Sequence, residues 1–341
     1  MPAIPSSGPI SLSDFAAEFG GTVPHSLSEY YRDGGNVPSN NTNVPTSGVF
    51  RFGNMRGAIN AIIQTLSNTT NVDLSTLFGS DWSSTVPKEI IIPSGVTIGG
   101  TGSSNALLVP SGMGGTLTIT NAGSIIGYGG AAGSAGGNAI SISSTGVTVD
   151  NTGLIAGGGG GGGVGGSGGT GGQGRYTGNS EYTGITSNTN PPGSEANCTS
   201  NCNNLGKTYH YHATYGCGED TCCCRCYCYN WVYTSGGAGG AGGSGGVGQG
   251  YNQSATSGSA GITGAAGGTN AGAGGSGGSG GSGSAYGTAG VSGNTGSSGA
   301  NGNYTNGSSA SSGASGGAAG AAVIYTAAYT MNNTGTLAGA A

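Results

Sequence analysis

Charge is scarce in this chain. Seven Lys and Arg and 12 Asp and Glu stand among 341 residues, and none of the four occurs from Tyr229 to Ala341. The net charge of −5 and a pI near 4.9 leave no basic footprint for nucleic acid or an anionic membrane. Apolar residues other than Gly make up 34% and aromatics 7%, which excludes an ordinary enzyme domain built on a large oily core. No run reaches the roughly 18 apolar residues of a membrane span, and Met1-Pro2-Ala3-Ile4-Pro5 lacks the basic and apolar parts of a secretion signal. Nucleophile elbow, phosphate loop and zinc-protease motifs are all missing. Gly-x-Gly-x-x-Gly spacings follow trivially from Gly content, and the acids form no obvious pair beyond Glu219-Asp220. The expectation is a non-enzyme without a cofactor.

What is abundant is Gly, 81 residues against a usual share of about 7%. Such a chain has much entropy to lose on folding, yet 16 Tyr and 8 Cys argue for order. The length allows two or three domains, and the fold class expected is mostly β and irregular, in three parts. Residues 1–80 read as an attachment module with short helices. Leu12, Phe15, Ala16 and Phe19 share a helical face that Gly20-Gly21 ends; Ser26-Leu27-Ser28-Glu29 has capping-box spacing; Ile59, Ile62, Ile63 and Leu66 predict a third helix from about Asn54 to Leu66. Residues 4–15 also line up with 44–55 at an offset of 40.

Residues 81–157, rejoined by 321–341, read as a β stack of short strands. Thr118-Ile119-Thr120-Asn121-Ala122-Gly123 recurs as Thr148-Val149-Asp150-Asn151-Thr152-Gly153 and again as Thr330-Met331-Asn332-Asn333-Thr334-Gly335. Asn-x-Gly predicts a turn tolerating positive φ, with flanking apolar residues stacking from coil to coil as in a solenoid. Everything between is then one excursion, residues 158–320, with two of every three positions Gly at 162–174, 236–248 and 274–283 and one in three from 287 to 302. A period of three matches a polyproline-II-type helix, whose bare Gly edges let parallel rods bond sideways; residues 157–174 would span roughly 56 Å at about 3.1 Å per residue. Collagen, with its Pro and unbroken phase, and a loose Gly/Ser linker are the rival readings.

An insertion at 175–235 holds all eight Cys: Cys198, Cys202, Cys217, Cys222, Cys223, Cys224, Cys226 and Cys228. Disulfide stapling is the first reading. Structural zinc on Cys198, Cys202, His210 and His212 is the second, and free thiols the third. In an extended strand Cys222, Cys224, Cys226 and Cys228 share one face and need partners elsewhere. The same insertion concentrates Tyr209, Tyr211, Tyr215, Tyr227, Tyr229, Trp231 and Tyr233, and Tyr251, Tyr286 and Tyr304 sit at other rod ends. Tyr and Trp offer large contact area at low entropy cost, so these residues are expected to be displayed for binding, with several of the tips converging on one end.

Rods of Gly-Gly-x spacing joined by aromatic tips resemble, over 157–321, the distal tail-fibre adhesins of T-even-like bacteriophages. Ile10-Ser11-Leu12-Ser13-Asp14-Phe15 with Pro24-His25-Ser26-Leu27-Ser28-Glu29-Tyr30-Tyr31 is similar to the opening of many phage tail structural proteins. The resemblance implies a sandwich of polyglycine-II helices on a virion tail, made in the host cytoplasm, that presents its tips to a bacterial surface receptor of protein or glycan. It also implies other tail proteins as partners through residues 1–80. A tail or filament subunit or cap, its tips buried against neighbours, is the alternative. A Gly-rich ice-binding protein is a third reading, against which the helical module and the missing secretion signal count.

Overall fold

The computed structural model describes residues 4–188, 202–203, 208–218 and 221–341. Near the start, the Ser11 hydroxyl accepts from the Asp14 amide while Asp14 accepts from the Ser11 amide at 2.6 Å, a reciprocal cap that starts helix α1 (Leu12–Phe19). Phe15 and Phe19 face inward, and Gly20, at φ 71°, ends the helix. Ser26 and Glu29 close the same box on one 3-10 turn, Leu27–Tyr30, and Tyr30 Oη donates to the Gly20 carbonyl at 2.8 Å. These elements enclose a small core of Ile4, Phe15, Phe19, Tyr30, Val37, Val44, Met55 and Ala58. The 40-residue offset has a physical counterpart in it: Ile4 and Val44 are both buried, as are Phe15 and Met55.

No helix spans 54–66. A 3-10 turn, Phe52–Met55, is followed by Gly57 at φ 72° and then by strand β1 (Ile62–Thr65). Gly57 interrupts the helical spacing, and Ile62 turns into a second, larger core instead.

That core fills a parallel solenoid with three faces. Its first coil is β1, β2 (Thr69–Thr70) and β3 (Val72–Asp73), closed by helix α2 (Leu74–Phe78). The second is β4 (Lys88–Ile92), β5 (Thr97–Gly99) and β6 (Leu107–Val109); the third is β7 (Leu117–Asn121), β8 (Ser124–Ile126) and β9 (Ile140–Ile142). The fourth begins with β10 (Val147–Asn151) and β11 (Leu154–Ala156), then leaves the solenoid for an excursion carrying β12 (Gly174–Asn188), β13 (Thr208–Gly218) and β14 (Thr221–Thr234), and closes with β15 (Val323–Tyr325). A fifth is β16 (Tyr329–Asn333) and β17 (Thr336–Ala338). The coils pair in register, Ile90, Ile119, Val149 and Met331 forming one stacked column, and each fully buried Ile or Val of such a column contributes about 1.5–3 kcal/mol.

The Asn-x-Gly repeat is built differently from the turn expected of it. Gly123, Gly153 and Gly335 do not have positive φ; a Cβ on Gly153 would overlap the Gly123 carbonyl of the coil below, and one on Gly335 the Gly153 carbonyl. The Asn side chains form a ladder along the coils. Asn121 Nδ2 donates to Asn151 Oδ1 at 2.7 Å, and Asn151 Nδ2 to Asn333 Oδ1 at 2.6 Å, with Asn121 and Asn151 buried. Asn151→Ala severs both rungs and opens a small cavity, so it is expected to lower stability by about 2–3 kcal/mol in a denaturant titration, whereas the same change at the exposed Asn332 is expected to cost less than about 1 kcal/mol. Lys88, paired with Leu117 in the column on the far side of Ile90 from the Asn ladder, is fully buried. Its ammonium donates to the carbonyls of Ser84, Val86 and Gly114 at 2.9–3.0 Å, and burial pushes its pKa below the usual lysine value.

Between the second and third faces the connecting segment lengthens from coil to coil: residue 71, then 100–106, then 127–139, and finally 157–322. The great excursion is this corner loop grown long. It contains six extended rods, A (157–174), B (235–250), C (256–267), D (271–285), E (288–302) and F (305–321), joined sideways by backbone hydrogen bonds at every third residue. Rods A, C and E run away from the solenoid and B, D and F return. Rod A sits at the centre: Gly165 N donates to Gly243 O of rod B at 2.8 Å and Gly166 N to Asn294 O of rod E at 2.9 Å, while Val164 O and Gly166 O accept from rods F and D.

Glycine content follows crowding. Rods A, B and D, the most buried, have Gly at about two positions in three, and the more exposed C, E and F at about one. Rod A opens with seven consecutive Gly, 157–163, because its third face there is covered by 127–137; a Cβ on Gly158 would overlap the Tyr128 carbonyl, and one on Gly161 the Ala131 carbonyl. Beyond that cover the same face carries Val164, Ser167, Thr170 and Gln173, all exposed. Hydroxyls of rod F take the amides left over on this face: Ser311 Oγ from Ser167 N, Ser308 Oγ from Thr170 N and Thr305 Oγ1 from Gln173 N, at 2.7–2.8 Å.

Candidate functional site

Alternation of rod direction sorts the connecting loops into two groups. The insertion after rod A, the turn at 268–271 and the turn at 303–304 lie at the end away from the solenoid; the turns at 251–255 and 286–287 lie beside it.

At the far end the insertion forms an antiparallel sheet in the order β12-β14-β13. Strand periodicity gives β14 two unlike sets of alternate positions: Cys222, Cys224, Cys226 and Cys228 on one, Tyr227, Tyr229, Trp231 and Tyr233 on the other. Where this sheet meets the rods, three elements converge. The Arg175 guanidinium carbon lies 4.4 Å from the Trp231 ring centroid and 5.1 Å from that of Tyr304, and the Tyr233 and Tyr304 rings stand 4.8 Å apart. Tyr233 is 53% exposed and Tyr304 46%, far more than a structural ring needs to be. Asn303 locks the backbone beneath: its Oδ1 accepts from Arg175 N at 2.7 Å, and its Nδ2 donates to Arg175 O at 2.8 Å. Asn270 Nδ2 donates to the same carbonyl at 3.2 Å, and Thr234 Oγ1 to Thr269 O at 2.6 Å. Arg175, Asn270 and Asn303 were not legible as site residues, although Asn270, at φ 59°, sits where a non-Gly turn residue is most often Asn.

Two predicted tip residues are elsewhere. Tyr251 lays its ring over Gly99 in β5, where a Cβ would strike the ring, and its amide donates to Gly127 O at 3.0 Å. Tyr286 precedes Gly287, which abuts Ala338 and Gly339 of the last coil. Both are at the solenoid end, apart from the insertion and Tyr304, which share the far end. Tyr209, Tyr211 and Tyr215 lie on β13, with Tyr211 opposite Tyr227 and Tyr215 opposite Cys223.

Cys202 and Cys228 are joined by a disulfide with Cα atoms 5.6 Å apart. An oxidised Cys202 has no thiolate to give, so the zinc set Cys198, Cys202, His210 and His212 loses a ligand. His210, His212 and Cys217 are on β13, and Cys222, Cys223, Cys224 and Cys226 are on β14; Cys198 lies outside the described residues. Among the described residues no group of three or more His, Cys, Asp or Glu could hold a metal ion.

This chain is similar to the tail-fibre adhesins of bacteriophages. Residues 59–222, from the first solenoid coil to the start of β14, match the family model described as phage tail fibre adhesin Gp38. A solved structure, the gp37–gp38 adhesin tip complex of the bacteriophage S16 long tail fibre, aligns over 98% of this chain and 99% of that one at 18% identity and a TM-score of 0.37. No curated protein matches the chain. No helix among the described residues is long and apolar enough to cross a membrane.

Proposed function

We propose that this chain is the adhesin at the end of a phage tail fibre, and that it binds a receptor on the bacterial surface through Trp231, Tyr233 and Tyr304 with the aromatic residues of β13 and β14. In this reading residues 1–80, which include the first solenoid coil, attach to other tail proteins, the remaining coils (81–157 with 321–341) are a base, and 158–320 is a shaft of polyglycine-II helices lifting the insertion 175–235. The observation that carries it is the exposed ring cluster at the end of the rods remote from the solenoid, on a chain whose sequence matches phage tail fibre adhesins. Exposed Val23, Val49 and Phe52 beside the small N-terminal core support attachment there. The period of three in the lateral bonds supports the helix type.

Because Gly174 pairs directly with Thr234, residues 175–233 can be replaced by a two-residue Gly-containing turn. Virions carrying this shortened chain are expected to assemble with the rods folded and to lose adsorption to host cells. Adsorption at the parental rate would move the receptor-binding role off the insertion, in favour of a capping subunit.

A further inference from the structure

We propose that Arg175 recognises a carboxylate of the receptor, an inference that rests on the tip being the receptor-binding surface. The residue is held as a recognition group. Its backbone is fixed by Asn303 and Asn270 from two separate rod turns, and its guanidinium is set against the Trp231 and Tyr304 rings. A guanidinium that meets rings by its face keeps the N–H fork in its plane for a partner. No described residue supplies one: the ion pair among them is His25 with Glu29, in the N-terminal module. Glu181, the other charged residue of β12, is six positions further along, about 20 Å at roughly 3.3 Å per residue. The turns at 268–271 and 303–304 contain no charge at all. Arg175 is half-buried, so its charge is only partly screened by water. Beside two rings, a planar carboxylate can lie in the plane of the fork, whereas a tetrahedral phosphate would turn oxygens toward the ring faces.

The test uses whole virions and host cells, native or with surface carboxylates converted to neutral amides by carbodiimide and methylamine, which leaves phosphodiesters intact; cells with phosphomonoesters removed by phosphatase are the control and are expected to adsorb parental virions normally. Arg175→Met and Arg175→Lys are each expected to slow adsorption to native cells about tenfold or more, the Lys variant because a point charge lacks the fork. Parental virions are expected to lose a similar factor on amidated cells, where Arg175→Met should cost nothing further. Parental adsorption by either variant, or undiminished binding to amidated cells, overturns the proposal. Tyr233→Ala separates this failure from that of the wider reading: slow adsorption of Tyr233→Ala beside normal adsorption of Arg175→Met removes only the carboxylate. Normal adsorption of both removes the tip as the binding surface.

Discussion

Gly165→Ala is expected to lower the stability of the rod bundle by about 2–4 kcal/mol, an unusual loss for a single methyl group. The site is in rod A, where a Cβ would overlap the Gly278 carbonyl of rod D. Rod D cannot yield locally, because Gly275 N, Gly278 N and Gly281 N each donate to rod A at 2.8 Å, at Gly169, Gly166 and Gly163. Overpacking of this kind costs about 1–3 kcal/mol, and separating the rods at two lateral bonds adds about 1 kcal/mol for each. The opposing effect is well defined: Ala has less freedom than Gly in the unfolded chain and stabilises by about 0.4–1 kcal/mol wherever the fold accepts it. The sign therefore decides the matter. In a loose tether Gly165→Ala would be neutral or slightly stabilising; in the packed bundle it is strongly destabilising. Val164→Ala, one residue away on the open face, is expected to change stability by less than about 1 kcal/mol. Denaturant or thermal unfolding of the purified chain, with amide exchange read across 236–320, measures both.

Much of this architecture could be read from residue spacing, because backbone approach constrains the sequence directly. Two Gly in three marks a rod with crowded neighbours, one in three marks a rod at the rim, and the seven-Gly run marks the stretch whose last face is covered by 127–137. Solenoid strands were legible for a similar reason: alternating Ile, Val and Thr between Gly and Asn has few other uses. Two readings failed, each for a physical cause. Ile59, Ile62, Ile63 and Leu66 satisfy helical spacing, but the eight residues from 59 to 66 are too few to tell a helix from a strand, and Gly57 at φ 72° breaks the helix before they begin. Asn-x-Gly was read as a conformational need when the need is steric, the carbonyl of one coil lying where the next would place a Cβ. Shared aromatic composition groups Tyr251 and Tyr286 with the insertion and Tyr304, but rod direction reverses at every turn. Counting rods puts Tyr251 and Tyr286 after even-numbered rods, back at the solenoid, and Tyr304 after an odd one. That count was available in the sequence. Arg175 was not, since its role depends on rings and amides that arrive from 231, 270 and 303.

The two ends of the bundle should separate binding from stability. Trp231→Ala, Tyr233→Ala and Tyr304→Ala are each expected to reduce adsorption to host cells by about 30-fold or more, the scale of a hot-spot aromatic worth about 2 kcal/mol. Their exposure keeps the cost in unfolding free energy below about 1.5 kcal/mol for Tyr233 and Tyr304, with somewhat more for Trp231, whose ring is partly covered and carries the Arg175 contact. Tyr251→Ala is expected to do the reverse. Its ring fills the space above Gly99, so truncation opens a void between rod B and the second coil and costs about 2–4 kcal/mol, while adsorption of correctly folded particles stays at the parental rate. Tyr286→Ala, at the same end, should likewise leave adsorption unchanged. All these residues are aromatic, all sit at or beside the ends of rods, and composition alone ranks them together; only the direction of the rods distinguishes them. Adsorption kinetics measured beside the melting temperature of each purified variant give the two readouts. Loss of adsorption in Tyr251→Ala without loss of stability would place the receptor at the solenoid end and dismiss the aromatic cluster at 231, 233 and 304 as the binding surface.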